Sequence, residues 1–365
     1  MALNRRRLLQ LGAASVALAA SPRGAMAAFD PKPTGWRNFE LVTKVSLPGG
    51  GETAQLWVPV PSVHGDGWMK PGAVNWESDA DEVQIVNAPD SGTPMVHAVW
   101  GASEGPRKLT VTAQAQTQDF VVDLSKPGDV EPLDEVERAR FTAATKLLPT
   151  DGIVKQTADS ITRGKTGDLE KARAIYEWIV ENTVRNPKTP GCGLGDIAFM
   201  LTSGDLSGKC ADLNALFVGL ARAAGIPARD VYGIRVAPSR FGYKSLGLKS
   251  DDATGAQHCR SEVWLSGFGW VPADAADVRK VMLQEGEGHL GLKDPKVVDV
   301  RAKLFGAWEG NWVAYNYAHD VDLPGSDGPE LPYLMYPQAE IDGKRRDYLD
   351  AKDFTYQITA RELSA

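Results

Sequence analysis

Cysteine and histidine are scarce in this sequence: three cysteines (Cys192, Cys210, Cys259) and five histidines among 365 residues. Their spacing does not resemble a zinc site. An odd number of cysteines leaves at least one thiol free or paired with another chain. Past the N-terminus no apolar stretch approaches membrane-spanning length, and there is no internal repeat or low-complexity tract. An excess of positive charge is also missing. Lys and Arg number 40 against 47 Asp and Glu, a net charge of −7, which argues against nucleic acid and anionic membrane surfaces as partners. What remains is ordinary for a globular protein, 43% hydrophobic and 24% charged, and long enough for two domains.

The first 27 residues read as an export signal rather than as fold. Arg5-Arg6-Arg7 precede an apolar run from Leu8 to about Ala20, too short to span a bilayer, and Ala25-Met26-Ala27 reads as a small-x-small cleavage site. Arginines before Leu8-Leu9 resemble a twin-arginine signal. A periplasmic or secreted location is expected, with no stable membrane insertion after signal removal. Removing residues 1–27 deletes four arginines and no acid, moving the net charge from −7 to −11.

Residues 29–126 read as a small β-sandwich domain. Phe39, Leu41, Thr43, Val45 and Leu47 alternate with mostly polar neighbours. The alternation resumes at Ala54, Leu56, Val58 and Val60 after Pro48-Gly49-Gly50-Gly51, which predicts a hairpin. A second is predicted around Ser103-Glu104-Gly105-Pro106, between 96–100 and 108–124. Several short strands separated by Gly and Pro suggest a sandwich, with a boundary near Lys126-Pro127-Gly128-Asp129.

A second domain is expected over 130–365. Leu169, Ala172, Tyr176, Ile179 and Thr183 fall at helical spacing behind Asp168, a predicted N-cap, and Asn186-Pro187 ends that helix. A second helix follows Cys210, with Leu213, Leu216, Phe217, Leu220 and Ala224 on one face and Gly225-Ile226-Pro227 as its stop. Strands are predicted at 230–236, 258–265 and 270–272. The long loop 239–256 between them, rich in Gly, Ser and Asp, has the character of a functional segment. Trp308, Trp312, Tyr315, Tyr317 and Tyr333 read as core, and the tail as strands around Asp342-Gly343.

Cys210, His258 and Asp274 carry the chemistry. A free thiol is only a few per cent thiolate at neutral pH. A helix start and a nearby imidazole both lower its pKa. Cys210 opens a helix, and its own N–H is a candidate oxyanion donor. His258 opens a strand, and Asp274 follows a short return past Ser266-Gly267-Phe268-Gly269, so adjacent strands can set imidazole beside carboxylate. Cys192 and Cys259 could pair as a disulfide; Cys259 could equally be a buried small hydrophobe. Glu262 falls on the His258 face by alternation, as a substrate contact or a structural salt bridge. Asp212 reads as a helix-start residue.

Four segments carry a family resemblance. Ala172 to Asn182 resembles the helix before the nucleophile of the transglutaminase-like core, a relative of the papain-like cysteine peptidases. Gly208-Lys209-Cys210 through Gly225-Ile226-Pro227-Ala228-Arg229 resembles the nucleophile helix and its exit. His258-Cys259-Arg260-Ser261-Glu262-Val263-Trp264-Leu265 and Gly269-Trp270-Val271-Pro272-Ala273-Asp274 resemble the histidine and aspartate strands. The match covers about 165–280 and implies an α+β fold, a papain/transglutaminase-like core preceded by a small β-sandwich domain. It implies a Cys210–His258–Asp274 triad, with no cofactor and no metal. Two positions depart from the family pattern. Arg185 or Asn186 stands where an aromatic that can assist the oxyanion hole is frequent, and Ala275 where proline is frequent.

These residues predict an exported cysteine-dependent amide hydrolase, a peptidase or amidase acting on a protein or peptide through a thioester. The alternatives are a cross-linking acyl transferase and a non-catalytic scaffold that keeps the fold.

Overall fold

Period-two burial builds the N-terminal region. In strand β1 (Arg37–Leu47), Phe39, Leu41, Thr43, Val45 and Leu47 are buried and the intervening residues are not. β6 (Arg107–Thr117) repeats the pattern from Arg107 to Thr117. Such alternation buries one face of a sheet. The computed structural model describes residues 28–364 except 51 and 103; the export signal expected at 1–27 lies outside the described residues.

Two antiparallel sheets face each other. One has β3 (Met69–Ser78), β6, β1 and the C-terminal strand Tyr356–Leu363. The other has β4 (Glu82–Asn87), β5 (Pro94–Trp100), β2 (Ala54–Pro59), Gln338–Ile341 and Lys344–Arg345. Val45, Leu47, Leu109 and Val111 from the first sheet pack against Leu56, Val58, Val96, Ala98, Ala339 and Ile341 from the second. This is the expected sandwich, but both predicted hairpins fail. β1 pairs with β6 over eleven residues, whereas β2 pairs with β5, so β1–β2 and β5–β6 each cross between sheets. Alternation fixes which face is buried and leaves the pairing partner open. The crossings are tied together by the buried Arg107, which donates to Pro48 O at 2.9 Å and to Glu52 O. Gly49 lies against the Glu104 backbone, and a Cβ there would sit 2.2 Å from Glu104 O.

The sandwich is closed by the end of the chain. Asn38–Val45 pair with Tyr356–Leu363, and Ala54–Trp57 with Gln338–Ile341. The region expected as a continuous 130–365 unit therefore gives its last strands to the 29–126 sheets. Asp342 and Gly343 have φ of 53° and 67°, which makes the short turn between Gln338–Ile341 and Lys344–Arg345.

Between these segments lies the helical and mixed core. The helix Gly167–Asn182 starts two residues earlier than expected. Thr166 is its N-cap, and Glu170 reaches back to accept the Thr166 N–H at 3.0 Å, while Asp168 lies in the first turn. The helix Cys210–Ala223 is buried on every side, not on one face. Its Leu213, Leu216, Phe217 and Leu220 each contribute about 1.5–3 kcal/mol by leaving water. It ends as its sequence predicts: Gly225 has φ +82°, its N–H returns to Arg222 O at 2.9 Å, and Ile226 N–H returns to Ala221 O at 3.0 Å.

This helix packs on an antiparallel sheet in the order Gly269–Ala273, Gln257–Leu265, Ala228–Arg235, Trp312–Asn316. Trp308, Trp312 and Tyr315 are buried, as expected of core. Loop 239–256 is anchored. Tyr243, Leu246 and Ala253 are buried, Ala253 N–H bonds Ile358 O at 2.8 Å, and Ala360 N–H bonds Asp251 O at 2.9 Å. Among the described residues no helix is long and apolar enough to cross a membrane.

Candidate active site

Cys210 is the first residue of its helix, and local bonds fix it there. The Asp212 carboxylate accepts Lys209 N–H at 2.9 Å and reaches across to Leu194 and Gly195 N–H, both at 3.0 Å. Asp212 is thus a helix-start residue, as expected, and it also holds loop 191–195. Burial pushes its carboxyl up, against the pull of these three amides. The approach is so close that a Cβ on Gly193 would lie 1.9 Å from Asp212 Oδ2. Ala211 N–H bonds Cys192 O at 2.9 Å, and among the described residues Cys210 N–H has no acceptor, so it is available to an oxyanion.

The structure brings Cys210, His258 and Asp274 together. His258 Nε2 lies 2.7 Å from Asp274 Oδ2, which leaves Nδ1 for the thiol. Cys210 and His258 line one cleft, and His258 helps to lower the thiol's pKa. Strand pairing produces this alignment. Ser261 faces Ala273 across the Gln257–Leu265 and Gly269–Ala273 strands, and Asp274 follows as N-cap of the helix Ala275–Gln284. The histidine backbone is held from behind by Trp312 Nε1, which donates to His258 O at 3.0 Å. Gly233, opposite His258, gives that indole room; a Cβ there would meet the ring at 2.6 Å.

Two supporting residues were not visible as such in the sequence. Asn214 lies one turn beyond Cys210 and donates to Asp274 Oδ1 at 3.1 Å and to Cys259 O at 2.9 Å. The signal was its i+4 spacing from the cysteine. Asp277 lies 3.4 Å from His258 Nε2 and receives two 2.6 Å bonds from the buried Arg235 Nη2. The signal was the pair of aspartates three apart at a helix start, where Asp274 Oδ1 also accepts Asp277 N–H at 3.0 Å.

The charges are set by these contacts. Burial alone would depress His258, but the carboxylates of Asp277 and Asp274 outweigh it, against the opposition of Arg235, and hold it up at about 9. Cys210 is held well below the usual thiol range. The Cys192 thiol beside it is the largest cause, followed by Cys259; burial opposes them and His258 adds to them. Cys192 is itself pushed up, chiefly by Cys210, so the two neighbouring thiols shift in opposite directions, with Cys210 the more acidic. Asp277 is pulled well down; burial opposes this, but Arg235 and then His258 outweigh it. These directions favour a thiolate–imidazolium pair, and two carboxylates back the imidazole, one of them already bonded by Arg235.

All three cysteines are free and buried, so a Cys192–Cys259 disulfide is absent. Tyr336 OH donates to Cys192 Sγ at 3.0 Å, and Cys192 Sγ donates to Gln257 O at 3.3 Å. Glu262 takes the structural alternative. It pairs with Arg229 at 2.7 Å in a separate depression with Asp66, Trp264 and Trp270. His258, Asp274 and Asp277 also bring three ligand atoms within 4.8 Å. The Asp277 oxygens are bonded by Arg235 and both Asp274 oxygens by His258 and Asn214, which does not favour a cation there.

Cys210 and His258 are each only 2% exposed, yet both line a cleft of about 560 Å³ with Cys192, Gln257, Tyr336 and Tyr348. Residues 247–250 and 252 and 254–256 of the long loop form one wall. Arg185, at the position flagged for the second oxyanion donor, lines the cleft as well. It sits in a two-residue strand pairing with Ser207–Gly208, immediately before the nucleophile.

A buried cysteine at a helix start, coupled to a histidine–carboxylate pair at the rim of a cleft, defines a cysteine-nucleophile class of site. Residues 155–275 match the transglutaminase-like superfamily core, so the chain carries a domain of that superfamily. Over 344 residues it is 36% identical to an uncharacterized protein of Haemophilus influenzae, covering 90% of each chain, and it belongs to one family with that protein. Its fold resembles the crystal structure of a candidate cysteine protease from Cytophaga hutchinsonii. The TM-score is 0.53 at 14% identity, covering 90% of this chain and 99% of that one.

Proposed function

We propose that this protein is an exported, cysteine-dependent amide hydrolase. The carrying observation is the 2.7 Å His258–Asp274 bond beside a helix-start thiol that opens on a cleft. Cys210 thiolate attacks the substrate carbonyl, and the developing oxyanion is met by the Cys210 N–H. His258 imidazolium gives its proton to the leaving amine, leaving a thioester on Cys210. Neutral His258 then takes a proton from water, which attacks the thioester and frees the acid. Asp274 orients the imidazole, and Asn214 orients Asp274.

Trapping separates the alternatives. Incubation with peptide amides, followed by acid quench and intact mass, is expected to show an adduct on Cys210 that is absent in Cys210→Ser. Product formed in water with no added amine supports hydrolysis. Product formed only with a primary amine supports acyl transfer, and no adduct with any peptide supports a scaffold. Export rests on the leader pattern of residues 1–27; N-terminal sequencing of protein from a periplasmic fraction tests it, with Ala28 expected as the first residue.

A further inference from the structure

We infer that the cleft contains a carboxylate-binding subsite formed by Arg185, Lys280 and Gln257, so that substrates carry a carboxylate close to the amide presented to Cys210. This deepens the hydrolase reading and rests on it.

Several hydrogen-bond donors in this cleft are unmet. Arg185 Nε and Nη1, Arg235 Nε and Gln257 Nε2 are buried without a partner, and all three side chains line this cleft. Every one of these side-chain atoms is a donor. A buried donor without an acceptor costs about 1–3 kcal/mol, and a folded protein seldom leaves several in one place. What would satisfy them together is an acceptor-only group, and a carboxylate has two oxygens with about four acceptor sites. The tetrahedral oxyanion is a poorer match, being a single atom present only during the reaction.

Charge points the same way. Arg185, Lys209, Lys249 and Lys280 line the cleft against one acid, Asp252, in a chain whose net charge is −7. The charge of Arg235 is met by Asp277, whereas Lys280 has no ion-pair partner among the described residues. Burial, then Arg235 and Arg185, push the Lys280 ammonium down to about 8, with Asp277 and Cys210 opposing. Two cations that repel each other across a cleft are both relieved by an anion between them. Arg185 also offers the planar fork that suits a carboxylate.

Two alkylating reagents of similar size test this on the whole protein. Iodoacetate carries a carboxylate and iodoacetamide does not. Rates at Cys210 are read by mass at low ionic strength, and the iodoacetate-to-iodoacetamide ratio is divided by that of free cysteine. The expected normalised ratio is roughly tenfold or more, as for a focused cationic cleft, and it falls towards one in Arg185→Gln and Lys280→Gln. A ratio of one, or a ratio unchanged in both variants, overturns the subsite. Rapid iodoacetamide labelling with no carboxylate preference removes the subsite and leaves the hydrolase reading intact. Slow labelling by both reagents removes both.

Should the variants not fold, protection of the wild-type thiol decides. The probes are N-acetyl-Ala-Ala with a free carboxylate, N-acetyl-Ala-Glu amide, and N-acetyl-Ala-Ala amide. Protection by the first alone identifies a chain-end carboxylate, and by the second an acidic side chain; either supports the subsite. Equal behaviour of all three overturns it.

Discussion

Replacing Asp277 with asparagine should move the titration of His258, although Asp277 is not the carboxylate nearest to the ring. Asp277 Oδ1 lies 3.4 Å from His258 Nε2. A unit charge at that distance interacts by about 5 kcal/mol at an effective dielectric near 20, opposed in part by Arg235 behind it. The net result is a histidine raised from 6.5 to about 9, roughly 3 kcal/mol of preference for the charged ring. Asp277→Asn removes the largest favourable contribution and leaves the repulsion of Arg235, so the pKa should fall by about 2 units or more. The assay is a pH titration of 15N-histidine-labelled protein, with the His258 signal assigned by its loss in His258→Gln. The sign for stability follows. A group whose folded pKa is raised contributes fully below its unfolded pKa of about 6.5, and that contribution is lost as pH rises through about 9. Wild-type urea midpoints should therefore decline from pH 7 to 9 more than those of the variant. A wild-type His258 titrating near 6.5, or a variant still near 9, would refute the reasoning.

Asn214→Ala removes the donor to Cys259 O and Asp274 Oδ1; a loss of roughly 2–4 kcal/mol in urea unfolding and slower alkylation of Cys210 are expected. Arg229→Met strips the partner from buried Glu262, and with it the guanidinium stacked 3.8 Å over Trp270 and 3.9 Å over Tyr317. It should cost about 3–5 kcal/mol, much of it regained in Arg229→Met/Glu262→Leu, with little change at Cys210. Gly193→Ala adds a Cβ 1.9 Å from Asp212 Oδ2 at a φ of +98°. Thermal unfolding should show a loss of at least about 1–3 kcal/mol, and activity should fall as loop 191–195 shifts against the nucleophile helix.

The site's three main residues were legible because each opens or ends a regular element, and short-range pattern marks such places. Cys210 opens an apolar helix, His258 opens a strand, and Asp274 closes the strand that returns beside it. The Schellman ending at Gly225 was legible for the same reason. What was hidden depends on distant partners. β1 and β2 alternate equally well whether they pair or cross, and the pairing of Tyr356–Leu363 with β1 spans more than 300 residues. Arg235 and Asn214 fell inside a predicted strand and helix, and Asp277 beyond the last predicted strand; their meaning appears only when three elements meet behind His258. Glu262 was placed on one face with His258 by alternation. Four residues along the strand, however, carry it to a different depression, beside Arg229.

Cys210 is expected to be a thiolate inside the folded protein, held by the neighbouring thiols with His258 adding to them. The most direct test is the iodoacetamide rate at Cys210, followed by mass as a function of pH. Rapid labelling is expected well below pH 8.5, the range of a free thiol, with Cys192 and Cys259 unlabelled, and a shift of the Cys210 profile towards higher pH in His258→Ala. Labelling of Cys210 only near pH 8.5, unchanged by His258→Ala, would contradict it.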